Sequence, residues 1–171
     1  MKTDNKRILR RLELSSIDME QAVECSKQLL ENWPWDETNE KERTMSRALQ
    51  TTMIVAYVRP FSGNYNKTHT LGKLELDLKD KFSKKEISLH ARIIDMRHTV
   101  FAHTDSQVRD LKVSVLSFGG APTACPISHN PYVLMEKSEI QDFHNLATKM
   151  QALICSEIIS LQSELSIDES F

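Results

Sequence analysis

Ile140, Phe143, Ala147, Met150, Ile154, Ile158, Leu161 and Leu165 recur at intervals of three and four residues near the end of this 171-residue chain. That spacing places them on one side of an α-helix, and Ser138 with Gln141 in the box position offers its start. The pattern predicts a helix over 138–165. An apolar stripe of about seven turns is longer than one short neighbour can cover, so part of it is left for a second copy of the chain. Gly occurs only four times, which favours helices over the tight turns of a sandwich or barrel. The length suits one domain with a sizeable core. The expected fold is therefore all-α: a single-domain helical bundle of four to five helices over residues 1–171.

Residues 1–14 alternate charge with Ile8, Leu9, Leu12 and Leu14, as in a short helix or an arm packed on a neighbour. Ser15 or Ser16 then supplies an N-cap for a helix over 17–32 carrying Ile17, Ala22, Val23, Leu29 and Leu30. Trp33-Pro34-Trp35 breaks it. Tryptophan faces can stack on bases, but such a corner more commonly pins a loop to the core, and it is read here as an anchor. Thr38 or Asn39 opens a helix over 39–58, which Arg59-Pro60 stops. Ser62–His69 is a polar loop, and Leu71–Phe82 a connector with room for a helical turn.

A further helix is predicted over 83–103, capped by Ser83 with Glu86 three residues on. Ile87, Ala91, Ile94 and Phe101 form one stripe and Leu89, Ile93, Met96 and Val100 another, so the helix should be central and buried. Its end is polar: Arg97, His98, His103 and Asp105. A buried charge needs a partner, a ligand or an opening to water. Arg97 and His103 lie three positions either side of Val100, about 9 Å apart along a continuous helix, and so line one cleft without touching. A guanidinium that binds phosphate oxygens and an imidazole that moves a proton near neutral pH suit a phosphodiester in that gap. A two-fold related copy would bring one chain's arginine near the other's histidine. Arg92 and His98 share the spacing, but Arg92 precedes Ile93 in mid-helix, and the context selects Arg97 and His103.

The run Arg97-His98-Thr99-Val100-Phe101-Ala102-His103 resembles the Arg-polar-(x3)-Ala-His form of the HEPN family motif. Thr104-Asp105 and the earlier Tyr57-Val58-Arg59-Pro60-Phe61 are similar to bacterial and phage-defence members. The likeness covers roughly the middle and C-terminal two thirds of the chain. It implies a dimeric helical bundle and a metal-independent endoribonuclease of the toxin-antitoxin or antiviral kind. Arg97 and His103 would be catalytic, His98 would orient the phosphate, and Arg59 would contact substrate. No metal or cofactor is implied. Partners would be RNA, a second copy, and an antitoxin or defence-system protein. The alternative is a non-catalytic HEPN-like module that binds a partner protein or a nucleotide, with Arg97 paired to Asp95 or Asp105.

The net charge of −2 argues against a general nucleic-acid coat. From Arg59 to Arg97, however, nine Lys and Arg stand against five Asp and Glu, a basic region beside the proposed cleft that suits either RNA guidance or a solvated surface. Cys25, Cys125 and Cys155 are scattered, which suggests neither a disulfide framework nor a zinc site and fits a reducing cytoplasm. The polar, basic start is followed by no apolar stretch long enough for a signal peptide or membrane span. After Asp105, the segment Val108–Leu116 carries β-branched residues suited to a short edge strand or extended arm, and a loop runs on to Pro131. The span Ser106–Pro131 is expected to be a flap or plain packing.

Overall fold

A computed structural model describes residues 2–62, 72–97, 111–118, 121–128 and 135–169. The framework is helical: α1 (Lys2–Glu31), α2 (Glu40–Val58) running into a 3₁₀ turn (Arg59–Phe61), α3 (Lys84–Met96) and α4 (Lys137–Glu169). Between α3 and α4 lie two antiparallel strands, β1 (Leu111–Phe118) and β2 (Ala121–Ser128), with Leu111 opposite Ser128 and Phe118 opposite Ala121. β2 was expected to be loop. Its Pro122 and Pro126 have no N–H to donate, which confines such a strand to a sheet edge, and a two-stranded hairpin has only edges.

α1 is one helix rather than an arm and a second helix. Its inward residues Leu12, Ser15, Met19, Ala22, Ser26 and Leu29 are all buried and repeat at three and four residues, so the seam runs straight through the expected break. Ser15 is no cap: its hydroxyl donates to the Arg11 carbonyl at 2.7 Å, the backbone bond one turn back that lets a serine remain inside a helix. α4 lies antiparallel against α1, as the pairs Ser26–His144 (2.9 Å) and Ser16–Cys155 (3.7 Å) show. The small serines let the two axes approach, and His144 is satisfied inside the bundle. Cys25 is half-buried, and burial raises its thiol pKa.

α2 covers the other side of α1. Asn39 caps it, accepting from the N–H groups of Lys41 and Glu42 at 3.0 and 3.3 Å. Met53, Ile54, Ala56, Tyr57 and Val58 are buried in its last turns. Between α1 and α2 the Trp33-Pro34-Trp35 corner packs both indoles on the core, and Trp35 donates to the Leu29 carbonyl at 3.0 Å. Gln50, buried on α2, accepts the Met135 N–H at 2.9 Å and fixes the approach to α4. That helix begins slightly earlier than expected. The Glu136 carbonyl accepts the Ile140 N–H, and the Glu139 carboxylate reaches back to the Glu136 N–H at 3.1 Å, so Glu136 and not Ser138 occupies the cap.

α3 is flanking rather than central. Only Ile93 is fully buried, Ile87, Leu89, Ile94 and Met96 are half-buried, and Ala91 is exposed. Ion pairs tie it to α4: Arg92–Glu139 and Lys85–Asp142 at 2.8 Å, and Glu86–Lys149 at 3.0 Å. The capping box at Ser83 is formed. The Ser83 backbone N–H, then Lys149, hold the Glu86 carboxyl at about 2, against 4.5 unperturbed. A carboxyl depressed on folding stabilises the protein above its unfolded pKa, and that contribution is lost as pH falls through the folded value. Thermal melts should therefore show a loss of stability between pH 4.5 and about 2 that is smaller in Glu86→Gln.

Candidate site at the end of the third helix

The first of the proposed site residues directly follows the described range of α3. Arg97 is its C-cap, half-buried, with right-handed backbone (φ −62°, ψ −40°) and an N–H shared between the carbonyls of Ile93 and Ile94. His98, His103 and Asp105, and with them the expected continuation to residue 103, lie outside the described residues, as do His69 and His129.

What orients this helix end is a pair that the sequence did not single out. His90 lies four residues before Ile94 and seven before Arg97, so the three share one stripe, with His90 and Arg97 about 10 Å apart along the axis. His90 Nδ1 is 2.9 Å from the Tyr57 hydroxyl. Tyr57 is fully buried, and its ring meets Phe61, His90 and Phe143 at centroid distances of 5.8, 5.8 and 5.3 Å. Phe61 stands edge-on to His90 at 4.7 Å and 87°. Burial lowers the His90 pKa and raises that of Tyr57. Both groups are therefore neutral at pH 7, and the Tyr57 hydroxyl and His90 Nδ1 satisfy each other through one shared hydrogen bond. The warning in the sequence was an imidazole inside an apolar helix, which needs a partner. Tyr57 and Phe61, at the end of α2, belong to the run already noted around Arg59.

The Arg59 guanidinium, expected to contact substrate, lies on α1, where Nη1 is 3.2 Å from Asp18 Oδ1 and 3.4 Å from Gln21 Oε1. It remains more than half exposed, so its outer edge is open to an anion. Behind it is a second cation that the sequence did not reveal. Arg11 is 8% exposed, and its Nη2 donates to the Arg59 carbonyl at 3.1 Å and to the Pro60 carbonyl. Pro60 also accepts the Leu74 N–H at 2.8 Å. Arg11 thus neutralises the negative end of the α2 dipole and fixes the turn that carries Arg59 and Phe61. Burial lowers its pKa, against the opposing pull of Asp18.

Among the described residues, no group of three or more His, Cys, Asp or Glu is placed to hold a metal ion, and no helix is long and apolar enough to cross a membrane. Compared with known proteins, the chain matches no family model, no curated protein and no solved structure, so the meaning of this helix end rests on its own side chains.

Proposed function

We propose that this chain is a metal-independent endoribonuclease of the HEPN type, acting in the cytoplasm as a homodimer, in a toxin-antitoxin or phage-defence setting. The observation that supports it most is the position of Arg97: a half-buried arginine directly after α3, on the same stripe as an imidazole locked by a buried tyrosine. Arg97 binds the scissile phosphate and stabilises the charge that develops on it. His103 takes the proton from the 2′-hydroxyl or gives one to the leaving 5′-oxygen. The 2′-oxygen bonds to phosphorus as the 5′-oxygen departs, which leaves a cyclic phosphate. His98 orients the phosphate, and Arg59 meets the strand with its exposed edge. The test is incubation of the purified chain with total RNA in excess chelator, where fragments with cyclic phosphate ends are expected. An inert wild type favours the non-catalytic module that binds a partner protein or nucleotide.

Two apolar regions support the dimer. On α4 the stripe residues Ile158 and Leu161 are only half-buried and Ile159 beside them is 67% exposed, while Ile17 on α1 is 63% exposed. Light scattering should give twice the chain mass, and a cross-link between Cys residues introduced at position 97 of each copy should form. A monomer at high concentration, or a dimer in which those positions never cross-link, refutes the composite site.

A further inference from the structure

We propose that α3 is a separately opening unit: it leaves the body formed by α1, α2 and α4 and loses its helix while that body stays folded, and ionic strength sets how often it does so. The body and α3 are held by different forces. Met19, Leu29, Met53, Phe143, Met150 and Ile154, from the three other helices, are all fully buried, and apolar burial of that kind responds little to simple salt. On α3, Ile93 is the one fully buried residue. Its polar attachments are the neutral Tyr57–His90 hydrogen bond and the pairs Arg92–Glu139, Lys85–Asp142 and Glu86–Lys149. The Arg92 and Lys85 side chains are 50% and 77% exposed, and exposed ion pairs are individually weak and screened by salt. A helix of 13 residues does not hold by itself in water, so undocking and melting coincide.

The chain before α3 marks where the unit begins. Phe82 is buried, with Lys149 Nζ 4.7 Å from its ring centroid, and Leu74 is buried with its N–H on the Pro60 carbonyl at 2.8 Å. The connector therefore stays with the body, and the break falls at Ser83, whose capping box is lost with the helix. Arg97 directly follows α3, so each opening carries it away from the Tyr57 cluster. What that does to RNA cleavage rests on the ribonuclease reading, whereas the opening itself does not and is measured on the chain without RNA.

The experiment is native-state hydrogen exchange of the whole chain, read by mass spectrometry at constant pH in about 0.1 M and about 1 M NaCl, between which the screening length falls from about 10 Å to about 3 Å. Corrected for intrinsic rates, amides of 88–96 should exchange at least about tenfold faster than those of 143–154. In the higher salt they should gain at least about a further threefold, with 143–154 unchanged. Lys85→Gln/Arg92→Gln removes two exposed cations and leaves the core intact. It should raise α3 exchange at the lower salt at least about threefold and lose most of the salt response. Ile93→Val, which trims the buried anchor, should raise α3 exchange about two- to tenfold at both salts and keep the response. The proposal is overturned if α3 amides exchange as slowly as those of α4, if salt leaves α3 unchanged or speeds both helices equally, or if the double variant keeps the full salt response.

Discussion

Tyr57→Ala is expected to lower the stability of the protein by about 3–5 kcal/mol, the usual cost of truncating a large aromatic in a packed core. Tyr57 is fully buried, with Phe61, His90 and Phe143 around its ring, and the last turn of α2 cannot close over the space it would leave. In a chain of this size that corresponds to a fall of about 6–20 °C in melting temperature, a large share of the margin that keeps most domains folded. Tyr57→Phe separates packing from polarity. It keeps the ring and removes the hydroxyl, so His90 Nδ1 loses its partner, and the cost should be about 1–3 kcal/mol. The two variants also differ in pH response. His90 is depressed below 6.5 by burial, so in the wild type the unfolded state takes up its proton first and stability declines as pH drops below 6.5. Tyr57→Phe, which leaves the imidazole freer to turn toward water, should show a shallower decline. Equal melting temperatures for wild type and Tyr57→Ala in denaturation monitored by circular dichroism would show that this cluster does not hold α2 to α3 and α4.

The same cluster shows where sequence reasoning reaches its limit. Local signals found α2 and the start of α3, because Asn39, Ser83 and Glu86 act on backbone within three residues of themselves. The long periodicity found α4 over most of its length. Ser15 misled for a physical reason: a serine hydroxyl satisfies an N-terminal N–H or a carbonyl one turn back equally well, and the buried seam on α1 decides between them. α3 looked central because its apolar residues circle the axis. Yet α1, α2 and α4 form the fully buried core, and α3 contributes mainly Ile93 to it while meeting α4 through ion pairs. The contacts that shape the candidate site join residues far apart in the chain: Tyr57 with His90, Arg59 with Asp18, Arg11 with the Pro60 carbonyl. No periodicity or capping rule encodes such pairs. That Arg97 follows on from the α3 helix was legible from the apolar periodicity before it, whereas the clamp two turns earlier was not.

His103→Ala is expected to reduce RNA cleavage by about 10²–10⁴-fold, the range that a positioned acid or base contributes, with RNA affinity and melting temperature nearly unchanged. The imidazole is used in the transition state and not in holding the strand, so its loss falls on the rate of the chemical step and not on binding. Arg97→Ala should differ in kind. A guanidinium that grips phosphate in both ground and transition states contributes to each, so both affinity and rate should fall. Arg97→Lys should recover part of the affinity but not the full rate, because an ammonium cannot reproduce the forked pair of hydrogen bonds. His90→Gln offers a third comparison: an amide can still bond to the Tyr57 hydroxyl, so if His90 only positions α3, this variant should retain most of the activity that His90→Ala loses. Single-turnover cleavage of a labelled RNA in excess chelator, alongside binding measured with a strand carrying a 2′-deoxy residue at the cut site, separates these effects. Full activity in His103→Ala, or full activity restored by lysine at position 97, would overturn the assigned roles even if the wild type cleaves RNA.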